Sequence, residues 1–144
     1  MMLHQPIAFL DRFRHDQSGA VAIEFVLLAP LLFALLFGIV IVGYFIGVSH
    51  SVSQLATGAA RVSVVGLDTD EREELVTAYL EKASVNYPLL KQDALDTQYL
   101  LEESTPPGVT VNVTYEIDGS LLGVANSLLG LSLTDIKGSA YLAY

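Results

Sequence analysis

GAVAIEFVLLAPLLFALLFGIVIVGYFIGV, residues 19–48, decides how this chain is read. Its one charged residue is Glu24, and residues 25–48 carry no charge. A run longer than about 20 apolar residues can cross a bilayer as a helix. Of residues 25–48, seventeen are Leu, Ile, Val or Phe. At membrane-insertion values these favour lipid by roughly 5–8 kcal/mol. Glu24 would oppose this by about 3 kcal/mol at the bilayer centre, but it sits at the edge of the run. Insertion wins, and the segment is expected to span the membrane.

Within the run, Pro30 removes one helical donor and crowds the carbonyl of Val26, so a bend of the kind membrane helices tolerate is expected there. Gly43 and Gly47 form a GxxxG pair, which lets a second backbone approach closely. The residues before the run hold Arg12 and Arg14 but also Asp11 and Asp16. The run also exceeds the 7–15 residues, roughly, of a secretory signal core, which disfavours an ordinary cleaved signal. Arg12 and Arg14 precede the run, whereas Arg61 lies thirteen residues beyond it. The positive-inside rule therefore places the N-terminus in the cytoplasm and the rest outside.

The chain has 144 residues and a net charge of -9, which leaves room for one small outer domain, residues 49–144. That domain holds five Lys or Arg against thirteen Asp or Glu, a balance that repels phosphate backbones and excludes nucleic acid as a partner. With no cysteine, neither disulfides nor thiolate metal sites can form. His4, His15 and His50 are scattered without a second ligand at metal spacing. No cofactor is implied.

Beyond the run, Val48, Val52, Leu55, Ala59 and Val62 recur every three or four residues, which predicts that the helix continues to about Val65 and stops at Gly66. In DTDEREE, residues 68–74, Asp68 and Asp70 are spaced like the first ligands of an EF-hand loop. Arg72 in the next ligand place breaks that pattern. Helix capping fits better, with Asp70 and Glu73 at capping-box spacing. The helix that follows puts Leu75, Val76, Tyr79, Leu80 and Ala83 on one face and ends before Pro88. Residues 89–96 read as a short helix or loop, and residues 97–103 as a strand before the turn at 104–108. Val109, Val111, Val113, Tyr115 and Ile117 alternate with Thr110, Asn112, Thr114 and Glu116, giving a strand with one core face. Residues 120–131 form an apolar connection, as a loop or short helix. Its Leu121, Leu122, Leu128 and Leu129 are a candidate contact patch for a neighbouring subunit. Residues 136–144 close the chain as a third strand. The fold class is α+β: a long N-terminal transmembrane helix, a second helix and a three-stranded antiparallel sheet. No GxSxG, HExxH, P-loop or dinucleotide fingerprint occurs, and no enzymatic activity is expected.

GAVAIEF, residues 19–25, resembles the processing site of type IV pilin precursors, in which a prepilin peptidase cuts after Gly and leaves a carboxylate at the fifth mature position. The Glu24-Phe25 pair resembles the Flp branch. More specifically, RFRHDQSGAVAIEFVLLAPLLFALLFGI, residues 12–39, is similar to the opening of TadE-like minor pseudopilins of the tight adherence (Tad/Flp) pilus system, with Gly19, Glu24, Pro30, Phe37 and Gly38 at the signature positions.

The resemblance implies a leader of residues 1–19 removed between Gly19 and Ala20, and an assembly helix over residues 20–48. Glu24 and Phe25 would be docking residues, and Pro30, Gly38, Gly43 and Gly47 helix-packing residues. It implies as partners the prepilin peptidase, other Tad pseudopilins, the major Flp pilin, the inner-membrane assembly platform and the lipid bilayer. The location implied is the bacterial cytoplasmic membrane, with entry into the pilus. Two other readings stand beside it: an uncleaved single-pass protein with a ligand-binding or regulatory outer domain, and a small membrane-anchored enzyme.

Overall fold

A computed structural model of the chain describes residues 17–103 and 105–144. The expected leader, apart from its last three residues, lies outside the described residues. One helix, α1 (Gln17–Ser63), runs unbroken through Pro30. Two compact units divide at its middle, Met1–Val40 and Ile41–Tyr144.

In the first unit the described residues are all helix, and every Leu, Ile, Val and Phe from Val21 to Val40 is exposed. A helix that is apolar all round and covers none of its own surface needs another apolar medium or another helix against it. By length and composition it is able to span a membrane.

In the second unit α1 becomes one-sided. Val48, Val52, Leu55, Ala56, Ala59 and Ala60 are buried, and Ile41 and Tyr44 pack against the same core. From Ser49 on the opposite face is polar, and its hydroxyls bond back along the helix: Ser51 to the Gly47 carbonyl, Ser53 to Ser49 and Thr57 to Ser53. The helix ends at Ser63, two residues before the position expected from periodicity. There the Gly66 N–H bonds the Ser63 carbonyl, and Arg72 Nε donates to the Gly66 carbonyl at 3.0 Å.

Helix α2 (Thr69–Glu81) begins two residues earlier than the Asp70–Glu73 spacing indicates. Its N-cap is Asp68, which has extended backbone and accepts from the Glu71 N–H at 2.8 Å. Glu71 in turn accepts from the Leu67 N–H, one residue before the cap, so Asp68 and Glu71 together satisfy donors at the helix start. Val76 and Leu80 of α2 are buried, followed by Ala83 in the short helix α3 (Ala83–Asn86). Residues 89–96 resolve into a 3₁₀ turn (Gln92–Ala94) and the start of a strand.

The sheet has the order β1-β2-β3 and is antiparallel throughout: β1 (Leu95–Glu102), β2 (Gly108–Tyr115) and β3 (Ile136–Ala143). Val109, Val111, Val113 and Tyr115 of the central strand are buried, with Ile117 just beyond it. Register brings Leu95, Thr97, Tyr99 and Leu101 of β1 and Ile136, Gly138, Ala140 and Leu142 of β3 onto the same face. Strand β3 lies against α1 where Gly138 meets the Val52 backbone; a Cβ on Gly138 would sit 3.0 Å from the Val52 carbonyl oxygen. Strand β1 is tied to α2, with Tyr99 Oη donating to Glu73 at 2.9 Å. Between β2 and β3 the apolar connection is a helix, α4 (Leu121–Leu129). Ser120 caps its start and Gly130, in the left-handed region, ends it. The fold is α+β with a long N-terminal helix and a three-stranded antiparallel sheet, as the residue pattern predicts.

Candidate functional site

The features that stand apart from packing lie along α1 and on α4. Near the start of α1, Gly19, Ala20, Glu24 and Phe25 are exposed. Helical spacing puts Ala20 one turn before Glu24 on the same face. A Cβ on Gly19 would meet nothing within 4 Å, so packing in this structure does not require glycine there. Past Glu24 the exposed apolar surface is unbroken by charge as far as Ile46.

The small residues of α1 divide into two kinds. Gly38 and Gly43 face open space, whereas a Cβ on Gly47 would lie 2.9 Å from Leu89 of the same chain. The GxxxG pair is thus unequal: Gly43 is free for a second backbone, and Gly47 already seats the chain's own outer domain. Leu89 carries no periodic signal, so sequence reading missed this contact.

A groove of about 710 Å³ runs beside the polar face of α1, lined by residues that include His50, Gln54, Arg61, Tyr79 and Tyr87. His50 is hydrogen-bonded to Gln54 at 2.6 Å, and among the described residues no carboxylate is bonded to it. The nearby hydroxyls of Ser53 and Thr57 are spent on helix carbonyls. A nucleophile–base pair is not assembled there. The hydroxyls of Tyr79 and Tyr87 bond each other at 3.1 Å. Burial, and then that bond, push the Tyr87 pKa from 10.0 to about 12. Among the described residues no cluster of His, Asp and Glu could hold a metal ion.

On α4 the four leucines separate. Leu122 is fully buried and belongs to the core, which corrects its place in the candidate patch. Leu121, Leu128 and Leu129 are exposed, and Val124 joins them between Leu121 and Leu128 on the same face.

The geometry of α1, with a glycine that packing does not need, one carboxylate and an uncovered apolar surface leading into a core stripe, is what comparison with known families can test. Residues 19–61 match the family model of the TadE-like proteins. The match covers the apolar run and the buried stripe of α1 from Val48 to Ala60, and it includes Gly19, Glu24, Pro30 and Gly38. It stops before α2, so the sheet and α4 fall outside the TadE-like segment. No curated protein and no solved structure shows a significant likeness to the chain. The TadE-like match is thus a likeness of the long N-terminal helix to that family, over residues 19–61.

Proposed function

We propose that this chain is a minor pseudopilin of a Tad (Flp) pilus, held in the cytoplasmic membrane by α1 and docking through that helix with other pilin-like subunits. The observation that carries the reading is Glu24: the one charged residue of the apolar run, one turn from Ala20, in a TadE-like segment whose Leu, Ile, Val and Phe side chains from Val21 to Val40 the chain itself leaves uncovered.

Cleavage between Gly19 and Ala20 by the prepilin peptidase creates an α-ammonium at Ala20. That charge pairs with Glu24 of the same chain or of a neighbour. A paired charge is far less costly to hold in lipid than a lone one, so the carboxylate selects the docked arrangement. Phe25 extends the contact, and Gly38 and Gly43 admit a neighbouring helix. The partners on this reading are other Tad pseudopilins, the major Flp pilin and the inner-membrane assembly platform. The polar-lined groove takes no part, and the chain performs no catalysis.

The test is N-terminal sequencing of the protein recovered from membranes of cells with an active prepilin peptidase. A chain beginning at Ala20, with processing lost in Gly19→Ala, is expected. Because a Cβ at Gly19 meets no neighbour, loss of processing in that variant reports recognition rather than misfolding. A chain beginning at Met1 in those cells would favour an uncleaved single-pass protein instead.

A further inference from the structure

Helix α4 presents an apolar face that the core does not use: Leu121, Val124, Leu128 and Leu129 are 44%, 53%, 79% and 62% exposed. Leu122 and Ala125, on the other side, anchor the helix in the core, so its outward face is fixed. The approach beneath it is tight, since a Cβ on Gly123 would lie 2.6 Å from the Ile117 carbonyl oxygen. Residues 119–134 carry no charge, although the outer domain has eighteen charged residues.

The position of α4 says what covers this face. The segment directly after it, residues 132–137, lines a cleft together with Phe45, Ser49 and Ser53 of α1. Asn126 of α4 holds that segment in place, accepting from the Leu131 N–H through its carbonyl and from the Leu133 N–H through its side chain. On another side of the same turns of α1, Leu89 sits against Gly47. Helix α4 is therefore tied to a segment that borders α1 at Phe45 and Ser49, at the end of the charge-free run, where a helix spanning the bilayer leaves it.

We propose that α4 is an interfacial helix, whose Leu121, Val124, Leu128 and Leu129 insert into the headgroup–acyl boundary of the leaflet from which α1 emerges. Helices with such a face enter that boundary by about 5–10 Å. Two of the outer domain's five cations border the site. Lys91 Nζ bonds the Gly119 carbonyl just before the Ser120 cap, and Lys137 lines the cleft with Phe45. Long cationic side chains in such places reach the phosphate layer while their stems stay apolar. Of the two flanking acids, Asp135 is turned inward to accept from the Ile117 N–H. Contact with lipid would hold the outer domain against the membrane at two places, α1 and α4. The inference needs α1 to span a bilayer but does not need the pseudopilin reading.

The chain contains no Trp, so a single introduced Trp reports its own surroundings. The full chain, carrying Leu128→Trp or Val124→Trp, is reconstituted at high lipid excess into vesicles with or without acyl-chain-brominated lipid. Leu67→Trp, at an 89% exposed position beyond α1, is the water control, and Phe33→Trp is the lipid control. The expected result is blue-shifted emission from Trp at 128 and 124, with intensity lost in brominated vesicles as it is for Trp at 33. Red-shifted, unquenched emission matching that of Trp at 67 overturns the proposal. Blue-shifted emission that brominated lipid does not quench, and that reverts as protein is diluted in lipid, also overturns it and assigns the face to a neighbouring subunit. If Trp at 33 is itself unquenched, α1 is not in lipid and the proposal falls with it. Failure of leader processing would alter none of these readings, because the vesicles contain no peptidase.

Discussion

Tyr87 pairs its hydroxyl with that of Tyr79 at 3.1 Å, in surroundings that disfavour a phenolate. Its pKa of about 12 in the folded chain, against 10.0 when free, fixes the sign of a pH effect. Above pH 10 the unfolded chain loses this proton first, so stability is complete below that pH and declines as pH rises towards 12. Burial raises the pKa of Tyr115 in the same direction. Thermal melts of the detergent-solubilised chain should show a falling midpoint over this interval, and Tyr87→Phe should flatten the fall. An unchanged slope in that variant would remove Tyr87 from the cause. At this scale sequence reading reaches residue types more easily than residue choices. Asp68 and Asp70 each have a glutamate three places on, and only the extended backbone of Asp68 and the helix start at Thr69 select the first. Leu121 and Leu122 are likewise equal as letters. One helical step turns them about 100° apart, into solvent and core respectively, and a nine-residue helix is too short for periodicity to assign its faces.

Elements were more legible than residues, because their signals repeat. The alternation from Val109 to Ile117 specifies a half-buried strand, and all five odd positions are buried. The stripe from Val48 to Ala59 likewise places the sheet side of α1. What repetition cannot convey is which surfaces meet without side chains between them. Gly138 is such a place: strand β3 approaches α1 there so closely that the Val52 backbone occupies the space a side chain would need. Gly138→Val should therefore destabilise the outer domain by about 1–3 kcal/mol, the usual cost of overpacking. Urea unfolding monitored by tyrosine fluorescence would measure this. A variant as stable as the parent would show that β3 can withdraw from α1 without loss. Leu89 against Gly47 is a second meeting of this kind, between residues far apart in sequence and hidden from periodicity for the same reason.

For the whole molecule, one helix serves two surroundings. In the first unit its side chains are uncovered on all sides, and in the second one face is a core and the other turns polar from Ser49 on. The charge-free run made the first role legible from composition, and the TadE-like match over residues 19–61 spans the change from one to the other. The fate of Glu24 is where the proposed assembly can be separated from simple anchoring. Insertion gains roughly 5–8 kcal/mol from the run itself, so removing one edge carboxylate does not release the chain from the membrane. Glu24→Ala should leave membrane fractionation unchanged while co-purification of other pilin-like subunits is lost. Equal recovery of those subunits with parent and variant would sink the docking role of Glu24.

The close seat of Gly138 on Val52 also has a mechanical meaning. With the Val52 backbone filling the place of a side chain, α1 cannot slide lengthwise past β3 without lifting over it. A pull along the helix is thus passed directly to a strand hydrogen-bonded to the centre of the sheet. Tension that reaches β3 is shared among the backbone bonds that pair it with β2 from Ile136 to Ala143.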